Sequence, residues 1–189
     1  MSKRIRIVRD EDCGDPREWD NLGTMACWHP NYTLGDEQVL RDSAQAFVDE
    51  LPKDCIVLPL YLYDHSGITM RTGAFDCPWD SGQVGIIYLT PEKLREEYKD
   101  IGPDEAREQA MKVLESEVKV FDLYLQGACW GFVIENELKC DHCGHTEWEH
   151  VDSCFGHLGD DLDETGIADH VGDAVTKEAL TEAWDNRWD

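Results

Sequence analysis

The rhythm of hydrophobic and polar positions changes several times along this chain. KRIRIV, Lys3 to Val8, alternates charged and apolar residues. That period of two predicts a strand at a sheet edge. An acidic loop follows, Asp10 to Asp20, and NLGTMACWHPNYTLGD then mixes Gly, Pro and aromatics, as a short strand and a loop would. From Asp36 to Leu51 the period lengthens. Val39, Leu40, Ala44, Phe47, Val48 and Leu51 share one face of a predicted helix, with Asp36 placed as its N-cap. CIVLPLYLYDHSGITM, Cys55 to Met70, predicts a hairpin that turns at DHSG. Gly82 to Thr90 is apolar without alternation, which predicts a strand buried on both faces.

Thr90-Pro91 sets a capping residue before a proline, the usual opening of a helix, here a short and exposed one. Gly102-Pro103-Asp104 opens a longer helix that ends at Gly127. In it Ala106, Ala110, Val113, Leu114, Glu117, Phe121, Tyr124 and Leu125 recur at helical spacing. Phe121, Tyr124 and Leu125 are expected against Val84, Ile86 and Tyr88. Ala128 to Leu138 predicts a strand, and a second, about Glu147 to Phe155, returns beside it. DAVTKEALTEAWDNRWD reads as helical, with Val175, Leu180 and Trp184 as its apolar stripe.

These elements predict an α+β fold: a mostly antiparallel sheet packed against one long helix, a β-hairpin at 138–157, and an acidic helical C-terminal segment. The expected division is a core of residues 1–159 and a segment of 160–189. A chain of 189 residues buries about 70% of its unfolded surface, enough for a real core. No apolar run reaches the ~18 residues that a membrane-spanning helix needs. The N-terminus carries basic residues without an apolar stretch, so a cytoplasmic protein is expected. On that expectation the eight cysteines are read as thiols with a metal site, not as a disulfide scaffold.

Charge changes the picture most. The chain has 41 Asp and Glu against 17 Lys and Arg, a formal net charge of -24. Such a surface repels nucleic acid and anionic membranes, so neither is an expected direct partner. Three accounts of the acidity compete: solubility adaptation in a salty environment, cation binding, and presentation of carboxylates to a basic surface that normally holds DNA. The segment from Leu158 onward concentrates the feature, with ten acids and two bases. Asp160, Asp161, Asp163, Glu164, Asp169 and Asp173 are its candidate partner-binding residues.

The candidate metal site is CDHCGHTEWEHVDSCFGH. Cys140 and Cys143 form one x2-spaced pair, Cys154 and His157 another, with ten residues between them. A hairpin can bring two such pairs together, and Zn²⁺ favours four tetrahedral thiolate and imidazole ligands. His145 is the alternative to His157, and His150 also lies in reach. A closed set of four predicts a structural zinc. A catalytic one needs an open position and a nearby base, and no HExxH frames Glu147 or Glu149. Asp64-His65-Ser66 is a local polar turn, because catalytic triads assemble from distant positions. Cys77, beside Pro78 and Trp79, reads as a packed loop residue. No glycine loop for phosphates is present, and no catalytic residue is assigned.

Several literal strings occur in order: WDNLG, CWH (Cys27–His29), VLPLYLYDHSGITM, CPWDSGQVGIIYLT, YLQG, WGFVIE and DSCFG. Across residues 19–159 the chain resembles a family of uncharacterised small acidic proteins carried by bacterial phages, plasmids and integrated elements. The resemblance implies a mobile-element setting and no particular activity. In that family's pattern an aromatic stands at the position of His157. With the charge, this setting predicts a non-enzymatic, DNA-mimicking inhibitor of a host defence nuclease of the CRISPR or restriction type. Its partner would be a basic nucleic-acid-binding protein of the host. The alternatives are a metal-dependent hydrolase built on the Cys/His cluster and an accessory binding module of phage replication.

Overall fold

In the computed structural model, which describes residues 2–188, the chain is α+β and its sheets are built mainly from antiparallel pairs. The strands in chain order are β1 (Lys3–Arg9), β2 (Thr24–Cys27), β3 (Glu37–Gln38), β4 (Ile56–Asp64), β5 (Ile68–Arg71), β6 (Ser81–Leu89), β7 (Cys129–Lys139) and β8 (Thr146–Leu158). The α-helices are α1 (Ala44–Glu50), α2 (Pro91–Glu97), α3 (Pro103–Leu125), α4 (Leu162–Thr165), α5 (Ile167–Val171) and α6 (Lys177–Asp185). The chain divides into two compact units. One holds residues up to Gly14 together with the chain from Gly127 onward, and the other holds Asp15–Gln126. This division differs from the expected boundary at 159/160. The acidic segment places Ile167, Val171, Leu180 and Trp184 in one core with Ile5, Ile7, Trp130, Phe132 and Ile134.

The Asp15–Gln126 unit contains a five-stranded sheet of order β3-β2-β6-β4-β5. Its core joins Met25, Leu60, Leu62, Met70 and Ile87 to Ala110, Leu114, Val118 and Phe121 of α3. The helix starts and stops where the sequence signals place it. Pro103 stands in the first turn, and Gly127 takes φ +66° just beyond the end. Its buried face is rotated from the expected one: Val118 is buried and Val113 is 37% exposed. The sheet face agrees in part. Val84 belongs to the α3 core as expected, with Phe121 in it and Tyr124 and Leu125 packed against it. Ile87 and Leu89 stand there in place of Ile86 and Tyr88, and Tyr88 meets Phe47 edge-on.

The predicted helix over 36–51 is a correction. Only α1 and a single 3-10 turn at Arg41–Ser43 are helical there, and Glu37–Gln38 pairs as a strand. Asp36 caps no helix. Its carboxylate accepts from the Met25 N–H at 2.7 Å and from Arg17. With Asp36 held there, the segment after it leaves as strand.

The other unit is a three-stranded antiparallel sheet of order β1-β7-β8. β1 is an edge strand, as its alternation predicts. Ile5 and Ile7 face α6 and the core, while Arg4 and Arg6 reach Glu135 at 2.8 and 3.2 Å. On the face opposite the core, Phe155 lies over Gly131. A Cβ there would fall 2.3 Å from its ring, so only glycine fits. The structure therefore has two sheets in separate units where one was expected. Among the described residues no helix is long and apolar enough to cross a membrane.

Candidate functional site

The β7–β8 hairpin exists, and its register decides which of the proposed metal ligands can meet. Lys139 pairs with Thr146, so Cys140 to His145 form the turn. Within it the Cys140 N–H donates to the His145 carbonyl and the Gly144 N–H to the Cys140 carbonyl, both at 2.8 Å. Gly144 takes φ +71°, which closes the loop tightly. Hydrogen bonding from the Cys143 and His142 backbone, and from the Cys143 thiol, favours the Cys140 thiolate and holds this thiol below its ordinary range. The turn is thus a two-cysteine knuckle shaped around sulfur. His145 lies beside it, with Nε2 3.7 Å from Glu147.

Cys154 and His157 are elsewhere, which corrects the four-ligand set. Cys154 pairs with Phe132 and His157 with Trp130. Phe132 and Lys139 are seven steps apart along β7, roughly 23 Å at ~3.3 Å per residue. No single ion spans that distance. A hairpin was expected to bring the two pairs together, but residues 146–153 of the ten between them lie in β8 and carry Cys154 away from the turn. His157 instead turns into the core at 7% exposure. Its Nδ1 donates to the Thr165 carbonyl at 3.0 Å, and its ring meets those of Phe132 and His170. His150 contacts Ser153.

A different cysteine pair comes together. Cys13 and Cys129 form a disulfide, against the expectation that all eight are thiols. β1 and β7 bring them together, and the Asp10 N–H donates to the Cys129 carbonyl at 2.9 Å. The Asp10 carboxylate accepts from the Gly156 N–H at 2.9 Å and lies 3.9 Å from the Cys129 sulfur. Among the described residues, Asp10, Cys13 and Cys129 are the group whose three ligand atoms lie within 4.8 Å of one another. When reduced, this trio could hold a soft divalent metal through two thiolates and a carboxylate. Nothing in the spacing signals it, because the two cysteines are 116 residues apart.

The six acidic candidates are exposed. Asp160, Asp161, Asp163 and Glu164 surround α4, Asp169 lies on α5, and Asp173 in the 3-10 turn that follows. Two of them have local work: Asp161 caps α4 by accepting from the Glu164 N–H, and Glu164 accepts from the Asp160 N–H just before the cap.

In the Asp15–Gln126 unit, three of the literal strings converge on a cleft of about 300 Å³. Trp28 and His29, Asp64, and Trp79 to Gln83 line it with Arg41. The Asn31 and Tyr32 N–H groups both donate to His29 Nδ1, and desolvation lowers this imidazole's pKa against the pull of Asp64. Tyr32 donates to Asp64 at 3.1 Å, His65 lies 3.5 Å from Asp80, and Trp79 stands 91% exposed at the rim. The cleft offers carboxylate acceptors and an aromatic plate to a small polar ligand. Sequence reasoning missed it by treating DHS and CPWDSGQ as separate turns.

No family model, curated protein or solved structure matches the chain.

Proposed function

We propose that this is a non-enzymatic, acidic interaction protein of a mobile element. It would act in the host cytoplasm by occupying the basic DNA-binding surface of a host defence nuclease of the CRISPR or restriction type. The observation that carries this reading is that the acidic segment is folded. Its exposed carboxylates project from short helices anchored by Ile167, Val171, Leu180 and Trp184. Double-stranded DNA presents a charge every ~1.7 Å of axis. A rigid carboxylate array can stand in for part of that field without the ordering cost a loose tail would bear. The net charge of -24 adds long-range steering toward a cationic channel.

The test is a binding titration against DNA-free nuclease, in rising salt and with competing duplex DNA. A second protein replaces Asp160, Asp161, Asp163, Glu164, Asp169 and Asp173 by their amides. Expected are a steep loss of affinity with salt, displacement by DNA, and weak binding by the amide variant. Binding that DNA does not displace would overturn the mimicry.

The zinc enters this reading in reduced form. Cys140 and Cys143 supply two thiolates, and His145, which lines the same hollow, an imidazole, so a metal there would staple the hairpin tip. The hydrolase reading draws less support, because the turn from Cys140 to His145 is solvent-exposed and the hollow it forms with Leu138, Lys139 and Glu147 brings in no residue from outside the hairpin tip. Protein prepared without chelator should carry about one zinc per chain, and Cys143→Ser should lose it while Cys154→Ser keeps it.

A further inference from the structure

In this strongly acidic chain the cations are not evenly placed. Lys3, Arg4, Arg6, Arg9 and Arg187 line one groove of about 600 Å³, formed by β1 and the flank of α6, and Glu182 is the single acid among its lining residues. Glu135 faces two of these cations at once, Arg4 at 2.8 Å and Arg6 at 3.2 Å, so one carboxylate answers two guanidiniums. Even with Glu135 and Glu182 counted, the groove stays net positive on a protein of charge -24.

The floor of the groove is a free sheet edge. β1 pairs on one side, with β7, in an unbroken antiparallel register from Lys3↔Asn136 to Arg9↔Trp130. The Glu137 N–H bonds the Ser2 carbonyl and the Asp10 N–H bonds the Cys129 carbonyl. These fix the even-numbered residues as the ones bonded to β7. Alternation then turns the N–H and C=O of Lys3, Ile5, Ile7 and Arg9 outward. Among the described residues no backbone partner takes up those of Lys3, Ile5 or Ile7. Such an edge is a template for another strand.

We propose that this groove binds an extended acidic peptide segment of a partner protein, added as a fourth strand beside β1. Main-chain bonds to the outward groups of Lys3, Ile5 and Ile7 would supply affinity, and the cationic side chains would select carboxylates. A second copy of this chain fits poorly. Antiparallel self-pairing centred on Arg6 sets Arg6 against Arg6 and Lys3 against Arg9, and like charges directly opposite destabilise a sheet. This surface meets the acidic one at Lys3, which also lines a pocket with Asp163 and Asp173, but its occupant has the opposite charge.

The test uses the full chain and a fluorescent peptide of four Glu-Val repeats. Controls are the Lys-Val peptide, the same acidic peptide interrupted by proline, and a short oligothymidine. Expected is binding of the Glu-Val peptide alone, with new hydrogen-exchange protection at the Ile5 and Ile7 amides and little change at Arg6, whose amide already bonds β7. Arg6→Ala should weaken binding about fivefold, the worth of one charge contact. Lys3→Pro, which deletes an outward N–H at the strand start, should weaken it more than Lys3→Ala. Thermal unfolding of each variant shows that the fold is kept. Equal binding of the proline-interrupted peptide would overturn strand addition. Competition by oligothymidine would reassign the groove to phosphates. Concentration-dependent dimerisation that alone protects Ile5 would give it to a second copy.

Discussion

Arg17 carries the most demanding electrostatics of any single residue. Its side chain is 4% exposed and bridges Asp36 at 2.7 Å and Glu117 at 3.0 Å, while Nη2 also donates to the Gly23 carbonyl. Burial alone would lower its pKa, but the bonds to Asp36 and Glu117 outweigh it and raise the value. Glu117 accepts in addition from the Leu22 N–H at 2.6 Å and from the Gly23 N–H. It therefore ties α3 to the loop before β2. Glu117→Gln leaves a buried guanidinium short of a partner, and it should cost about 3 kcal/mol in denaturant unfolding. A loss within about 0.5 kcal/mol would mean that Asp36 alone holds the cation. None of this was legible in the sequence, where Asp36 and Glu117 are 19 and 100 positions from Arg17. Asp36 before an apolar repeat looks like an N-cap, and only the fold shows its carboxylate committed elsewhere. The thiols follow the same local logic. Desolvation pushes Cys27 up to about 12, whereas the knuckle N–H groups pull Cys140 down. In metal-free protein at pH 7.5–8, a range chosen near the ordinary thiol value, a maleimide should label Cys140 first. Cys27 should stay unlabelled until the protein unfolds. Labelling of Cys27 at a similar rate would show that its burial is not maintained in solution.

Among the elements, α3 separates what periodicity can and cannot supply. Its ends were readable because Pro103 and Gly127 act locally, through a fixed φ and a left-handed cap. Its face was less so. Val113 and Val118 both satisfy an apolar pattern, and what decides between them is where the sheet lies. Leu114 is fully buried and Val113 is not. Leu114→Ala should cost about 2–5 kcal/mol by lost transfer energy and the cavity left behind. Val113→Ala should fall within about 0.5 kcal/mol. Paired unfolding curves check this, and equal losses would rotate the helix back to the face expected from sequence. The hairpin teaches a similar lesson. The strands expected at 128–138 and 147–155 lie close to β7 and β8, but metal-ligand spacing says nothing of their register. Once Lys139 pairs with Thr146, only the cysteines in the turn remain neighbours.

The order of the chain as a whole hides its division. The unit built on β1, β7 and β8 takes its first strand from the N-terminus and its covering helices from the last thirty residues. A composition shift near Leu158 therefore looked like a domain boundary. It marks the point where solvent-facing acids become dense, while every few positions an apolar residue still turns inward. Leu180 and Trp184 are 5% and 7% exposed, and Trp184 meets the Trp130 ring edge-on at 5.4 Å between centroids. Sparse spacing on short helices gives a weak periodic signal, so a folded segment passes for an acidic tail. Truncation after Gly159 tests the difference. A solvated tail could be removed without harm. The structure predicts instead that Ile5, Ile7, Trp130 and Phe132 lose their cover, at about 1.5–3 kcal/mol for each large side chain exposed. That loss approaches the whole stability of a typical domain. The truncated protein should show a red-shifted tryptophan emission, rapid proteolysis within β7 and β8, and dye binding by the uncovered sheet. The Asp15–Gln126 unit carries its own core and should keep a cooperative transition. A truncated chain with native emission and full protease resistance would restore the 159/160 boundary. The amide variant of the six acids separates charge from packing, because it keeps every buried side chain. It should fold normally, so any loss of partner binding in it belongs to the carboxylates and not to a collapsed scaffold.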